Sequence, residues 1–224
     1  MCGRFSLATD INVLQEQFNF EFNDKVTINP RFNVAPSQQI LTIGSNGGKR
    51  IGSTMKWGLV PSWSNDSKIG YKMINARAEG IDQKPSFKTP FKRKRCLIVS
   101  DGFYEWKKEG KNKQPFRFVM EDGRPFAFAG LWDEWDKNGE PLYSCTIITT
   151  TPNQITKEIH NRMPVILEED AYDLWMDSKM NDTESLKSLL IPFPSKKMKS
   201  YPVSTIVNSP KNDVADCLSP VNSL

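Results

Sequence analysis

The sequence has little of several things that usually classify a chain of this size. It holds a single histidine, His160, and its four cysteines, Cys2, Cys96, Cys145 and Cys217, include no CxxC pair. A zinc site is therefore not expected, and no metal or other cofactor is implied. The cysteine spacings are wide and irregular, and the opening MCGRFSLATD lacks the apolar stretch of a secretory signal. The expectation is a reduced, cytoplasmic protein with mostly buried thiols. No run approaches the roughly 18 apolar residues of a membrane-spanning helix, so no membrane partner is expected. Repeats, low-complexity tracts and Pro/Gly/Ser-rich linkers are also missing, and residues 1–224 read as one domain. Excess charge is scarce as well: 30 Lys and Arg against 26 Asp and Glu leave +4. That balance permits a nucleic-acid partner without demanding one, because basic residues would have to be gathered on one face.

What is present is a succession of short strands. Gln38 to Ile43 and Arg50 to Trp57 flank the turn Ser45-Asn46-Gly47-Gly48. Further strands are expected at Arg95 to Ser100, Gly102 to Lys107, Phe116 to Met120, Phe126 to Trp132, Tyr143 to Thr149, Pro164 to Leu167 and Tyr201 to Val207. Their separators, such as Glu109-Gly110-Lys111-Asn112, Glu121-Asp122-Gly123 and Lys137-Asn138-Gly139, carry turn chemistry. Helices are expected after Asp10, after the capping pattern Thr151-Pro152-Asn153-Gln154, over Glu168 to Met176 and over Thr183 to Leu190. The fold class is α+β and mainly β: short antiparallel strands, barrel-like, with a few flanking helices.

Cys2 follows the initiator methionine, which is generally trimmed before a small residue. A mature chain beginning at Cys2 carries a primary amine and a thiol on adjacent carbons. An α-amine has a pKa of about 7.7–8, so much of it is neutral at physiological pH. It attacks an aldehyde to give an imine, and the thiol then closes on the imine carbon to form a thiazolidine. Closure within one residue has the high effective molarity of an oriented intramolecular reaction. The chemistry selects aldehydes, and abasic deoxyribose, whose C1′ opens to an aldehyde, is one of them.

Six blocks stand around this cysteine in order: Cys2-Gly3-Arg4-Phe5, Arg31-Phe32-Asn33-Val34-Ala35-Pro36, Trp57 to Trp63 (WGLVPSW), Asn75-Ala76-Arg77-Ala78-Glu79, Asp101 to Trp106 (DGFYEW) and His160 to Pro164 (HNRMP). With them the sequence resembles the SRAP (SOS-response-associated peptidase) family, whose members link covalently to abasic sites, over nearly its whole length. The resemblance implies that Cys2 is the nucleophile, Glu105 an acid/base carboxylate, and His160 an aid to sugar-ring opening and proton transfer. It implies that Asn75 hydrogen-bonds the sugar or Cys2. Chemically, a Glu between Tyr104 and Trp106 suits an apolar pocket that raises its pKa, and His160 has the one side chain here that ordinarily titrates near 6.5.

For the partner, the resemblance implies single-stranded DNA containing abasic sites, and a nucleoid location when bound. Arg4, Arg77 and Arg162 match basic positions, where a guanidinium fork suits phosphate oxygens. Asn33 matches a further polar contact, and Pro36 and Trp63 match positions that stack on or wedge between bases. Ser64 departs from the pattern where some members carry a second aromatic, leaving that place to a smaller wedge or to Tyr71. The runs Lys92-Arg93-Lys94-Arg95 and Lys107-Lys108-Lys111-Lys113 read first as solvated faces. Two rival readings share these residues: an N-terminal-nucleophile thiol hydrolase or self-processing peptidase, and a noncovalent nucleic-acid-binding module that would not need Cys2.

Overall fold

The computed structural model describes residues 2–221 except 24–25, 111 and 138. The fate of Met1 and the expected turn residues Lys111 and Asn138 lie outside the described residues.

Five strands close into a barrel. Lys49–Trp57, Gln39–Asn46, Arg95–Ser100, Phe126–Trp135 and Leu142–Thr150 pair antiparallel in that order. The ring is then shut by a parallel pairing of Ser144 with Lys56 and Cys145 with Trp57. That parallel seam departs from the all-antiparallel expectation. It arises because the first and last strands of the ring are far apart in sequence and meet only by closure, which leaves no open edge. The hairpin at its start is turned by Gly47 and Gly48, both at positive φ (58° and 83°), a conformation glycine adopts without steric cost.

A second sheet packs on the barrel: Met198–Pro202, Asn112–Met120, Gly102–Glu109, Phe5–Leu7 and Arg31–Val34, all antiparallel. Alternation explains why all six residues of Arg95–Ser100 are buried. Cys96 and Ile98 join a cluster with Phe5, Trp57, Phe103, Phe118 and Phe128, between barrel and second sheet. Leu97 and Val99 join another with the helices Ile11–Phe18, Pro85–Arg93, Tyr172–Met176 and Thr183–Ser188. Stacked rings of Phe103 and Phe118, 4.8 Å apart, and the Phe5–Trp57 contact at 5.2 Å fill the first cluster.

Several elements differ from expectation. Pro85–Arg93 is a helix that the sequence reading passed over, with Pro85 in its first turn and Pro90 inside it. Phe87 and Phe91, one turn apart, bury its apolar side. The helix after Thr151 is capped by Asn153 instead, whose side chain accepts from Thr156 N while donating to Phe193 O. The late strand ends at Pro202, and Thr205–Asn208 is a 3-10 turn capped by Ser204. No helix among the described residues is long and apolar enough to cross a membrane.

Candidate functional site

The chain start is drawn into the molecule by the strand Phe5–Leu7. It pairs Phe5 with Phe103, and Tyr104 N donates to Arg4 O at 3.0 Å, so the antiparallel run carries Cys2 toward Glu105. Asn75 comes from a three-residue strand, Asn75–Arg77, lying parallel to Leu142–Thr150 with Asn75 opposite Ile147. His160 ends the turn after the helix Gln154–Lys157, its N–H donating to Thr156 O at 2.8 Å. The pairing of Met163 with Thr150 returns that connection to the same barrel strand. Four distant segments thus converge on one place.

Cys2 is fully buried. Asn75 Nδ2 donates to Cys2 O at 2.8 Å, while Asn75 Oδ1 is buried with no hydrogen-bond partner among the described residues. That oxygen is an acceptor on the same amide that holds the Cys2 carbonyl. His160 Nε2 stands 3.9 Å from Glu105 Oε2. On the other side of the ring, Nδ1 is 3.1 Å from both the N–H and the carbonyl oxygen of Arg162. A neutral ring accepts from that N–H, and a protonated ring donates to that carbonyl, so both charge states are held in one orientation.

Burial decides the titration of these groups. Glu105 is buried, and desolvation raises its pKa to about 7. The Cys2 thiol is pushed well up, first by burial and then by the neighbouring Glu105 carboxylate. His160 is held below its ordinary value, chiefly by partial burial. At neutral pH the cluster therefore holds a thiol rather than a thiolate, a mostly neutral imidazole, and a carboxyl group close to half protonated.

Around it the remaining expected residues divide. Arg77 is exposed, on the same strand face as Asn75, while Ala76 between them points into the core. Arg162 forks onto Glu79, with Nη1–Oε1 2.6 Å and Nη2–Oε2 2.9 Å, and Nη2 also donates to Thr149 O at 2.6 Å. Trp63 is 54 % exposed and Pro36 half-buried. Ser64, where a second aromatic was in question, is buried and shapes the turn, its Oγ donating to Asp66 O and its carbonyl accepting from Trp135 Nε1. Tyr71 is 65 % exposed beside Lys56.

Arg4 and Asn33, expected at the DNA, are instead buried in the protein frame. Arg4 Nη1 donates to Asn33 Oδ1 and to Val207 O, both at 2.7 Å. Asn33 Nδ2 reaches Val207, Ser209 and Asn212 carbonyls. Together they tie the chain start to the closing YPVSTIVNSPKND segment, whose carbonyls would otherwise be unsatisfied. The basic run at 92–95 is likewise no continuous patch. Arg95 is buried on carbonyls of Phe91, Trp175 and Asp177, and Lys94 pairs with Asp133. A broad cleft lined by Pro125, Phe126, Leu167 and Tyr172 contains none of the site residues, and its Arg124 and Lys197 are paired with Glu169 and Glu168. Sequence reasoning gave no role to Thr149 and Glu79. Only their contact with Arg162, 13 and 83 residues away, brings them to the site.

Likeness to known proteins extends over nearly the whole chain. A family model described as SOS response associated peptidase (SRAP) matches residues 1–210. The chain is 49 % identical over 216 residues to the abasic site processing protein YoqW of Bacillus subtilis, covering 95 % of this chain and 96 % of that one. It is 47 % identical over 227 residues to YoaM of the same organism, of the same description, with both chains fully covered. The abasic site processing protein HMCES of Gallus gallus is 38 % identical over 198 residues, 77 % of this chain and 58 % of that protein. A crystal structure of a protein from Bacteroides thetaiotaomicron superposes with a TM-score of 0.89 at 27 % identity, over 99 % of this chain and 100 % of that one.

Proposed function

The chain belongs to the SOS response associated peptidase (SRAP) family, and on that premise we propose that it processes abasic sites by capturing them covalently in single-stranded DNA. The observation that carries this reading is the convergence of Cys2, Asn75, Glu105 and His160, with Asn75 Nδ2 on Cys2 O at 2.8 Å and His160 Nε2 3.9 Å from Glu105.

The reaction begins once Met1 is removed. His160 takes the proton of the C1′ hydroxyl and returns it to the ring oxygen as the bond between C1′ and that oxygen breaks, which opens the sugar to its aldehyde. The neutral Cys2 amine adds to that carbon, and Asn75 Oδ1 accepts from the amine and holds it in line. Glu105, half protonated near pH 7, donates to the departing hydroxyl, so water leaves and the imine forms. The Cys2 S–H then adds across C=N: sulfur bonds to carbon, and the thiol proton ends on nitrogen. The raised thiol pKa favours this order, amine first and sulfur second.

We assign the flanking strand to Arg77 and Arg162 for phosphates and to Trp63, Pro36 and Tyr71 for bases. Arg4 and Asn33 serve by fixing the wall behind Cys2. The test is a denaturing gel of protein mixed with single-stranded DNA carrying one abasic site. A shifted band that requires Cys2 is expected, with Cys2→Ala keeping much of the reversible binding. Peptide or amide turnover with no shifted band would favour the hydrolase, and binding indifferent to Cys2 with no band would favour the noncovalent module.

A further inference from the structure

We infer that Glu79 sets the affinity for undamaged strands, by occupying with its carboxylate the seat on Arg162 that a DNA backbone phosphate takes over. This inference rests on the reading of Arg162 as a phosphate contact.

The two partners of this ion pair are unequally held. Arg162 has only 12 % of its side chain exposed, and its Nη2 has a second anchor in Thr149 O at 2.6 Å. Its backbone N–H and carbonyl also face His160 Nδ1. Glu79 is 56 % exposed. The guanidinium is therefore the fixed half of the pair and the carboxylate the half that can leave into water. The contact uses both terminal nitrogens, at 2.6 and 2.9 Å, which is the two-oxygen grip a guanidinium also gives a phosphate. A carboxylate and a backbone phosphodiester each carry one negative charge, so a phosphate can take the same fork while the Glu79 carboxylate turns out into water. Arg77, exposed two residues before Glu79, places a second positive charge beside the pair.

The consequence is specificity. Any single strand must displace Glu79 to reach Arg162, which weakens reversible binding to all strands alike. A strand with an abasic site is retained by the bond to Cys2, whereas an intact strand has only the weakened contacts. Glu79 thereby widens the difference between damaged and undamaged DNA without touching the reacting atoms.

The experiment uses the full chain with Cys2→Ala, which removes bond formation, and fluorescence anisotropy with a labelled oligothymidylate. Glu79→Gln, similar in shape, is expected to bind roughly two- to five-fold tighter at low salt, the scale of one partly exposed ion pair. Glu79→Ala, which leaves no amide on the fork, is expected to do so by more. The gain should shrink as salt rises and vanish when Arg162→Ala is added. Equal or weaker binding by both Glu79 variants overturns the inference, as does a gain that persists without Arg162. With Cys2 intact, absence of any adduct would defeat the capture reading and leave these affinities standing. Equal affinities beside a normal adduct would defeat only the role of Glu79.

Discussion

Glu105 combines burial with a position facing both Cys2 and His160. Its pKa is raised from 4.5 to about 7, so the folded chain holds this proton more tightly than the unfolded chain does. The associated stability is fully present below the unfolded value and drains away as pH climbs through about 7. Above that, the buried carboxylate costs on the order of 3 kcal/mol relative to acid conditions. Urea unfolding at about pH 5.5 and about pH 8.5 should therefore show the native chain losing stability, and Glu105→Gln losing much less. Equal losses would remove the burial argument. In the reaction, Glu105→Gln should slow adduct formation by roughly 10²–10⁴, the range for lost acid/base help, and an unchanged rate in a single-turnover time course would exclude it. The meeting of Cys2, Asn75, Glu105 and His160 could be expected from the sequence because each lies within a recognisable block. The partnership of Arg162 with Glu79 was not, because an ion pair across 83 residues leaves no local pattern. The burial of Arg4 and Asn33 was illegible for a related reason: the carbonyls they bond lie more than 170 residues downstream.

Among the elements, the segment from Gly58 to Met73 presents Trp63 and Tyr71 to solvent, and a close backbone crossing fixes it. Gly58 has φ 127°, and a Cβ there would lie 2.6 Å from Gly70 O. Gly58→Ala should cost roughly 1–3 kcal/mol from backbone strain and clash. Gly123→Ala, at φ 76° with nothing within 4 Å of the added carbon, should cost less. Thermal melts of the two variants compare them directly, and equal melting temperatures would show that the crossing is not tight. The glycine turns and the strands at 39–46, 49–57, 95–100 and 142–150 could be read from short β-prone runs and the turn chemistry between them. Phe5–Leu7 could not, since three residues buried in a row show no period. The helix Pro85–Arg93 was hidden by Pro90 and its basic residues, although Phe87 and Phe91 carried its apolar side.

At the scale of the whole molecule, the barrel and second sheet enclose the chain start, with Arg77 exposed on the strand that carries Asn75. The overall charge of +4 is too small to hold DNA by itself. Binding should depend on a few placed contacts, and Arg77→Ala should weaken it across all sequences and flatten the salt dependence by roughly 0.7 in slope, one single-strand phosphate contact. A titration over salt checks this, and an unaltered slope would take Arg77 off the DNA. The barrel-like class was readable from many short strands, but its parallel closing seam was not, because Lys56 and Ser144 meet only when the ring shuts.

The central claim is that a free α-amine and its neighbouring thiol take the sugar aldehyde together. Intact-mass measurement of the protein after reaction with abasic single-stranded DNA tests it most directly. The account predicts a chain lacking Met1, joined to the DNA at the sum of both masses less one water, and no such species from Cys2→Ala or from protein acetylated at its terminus. A fully reactive chain that still carries Met1, or an acetylated chain that reacts at the normal rate, would contradict it.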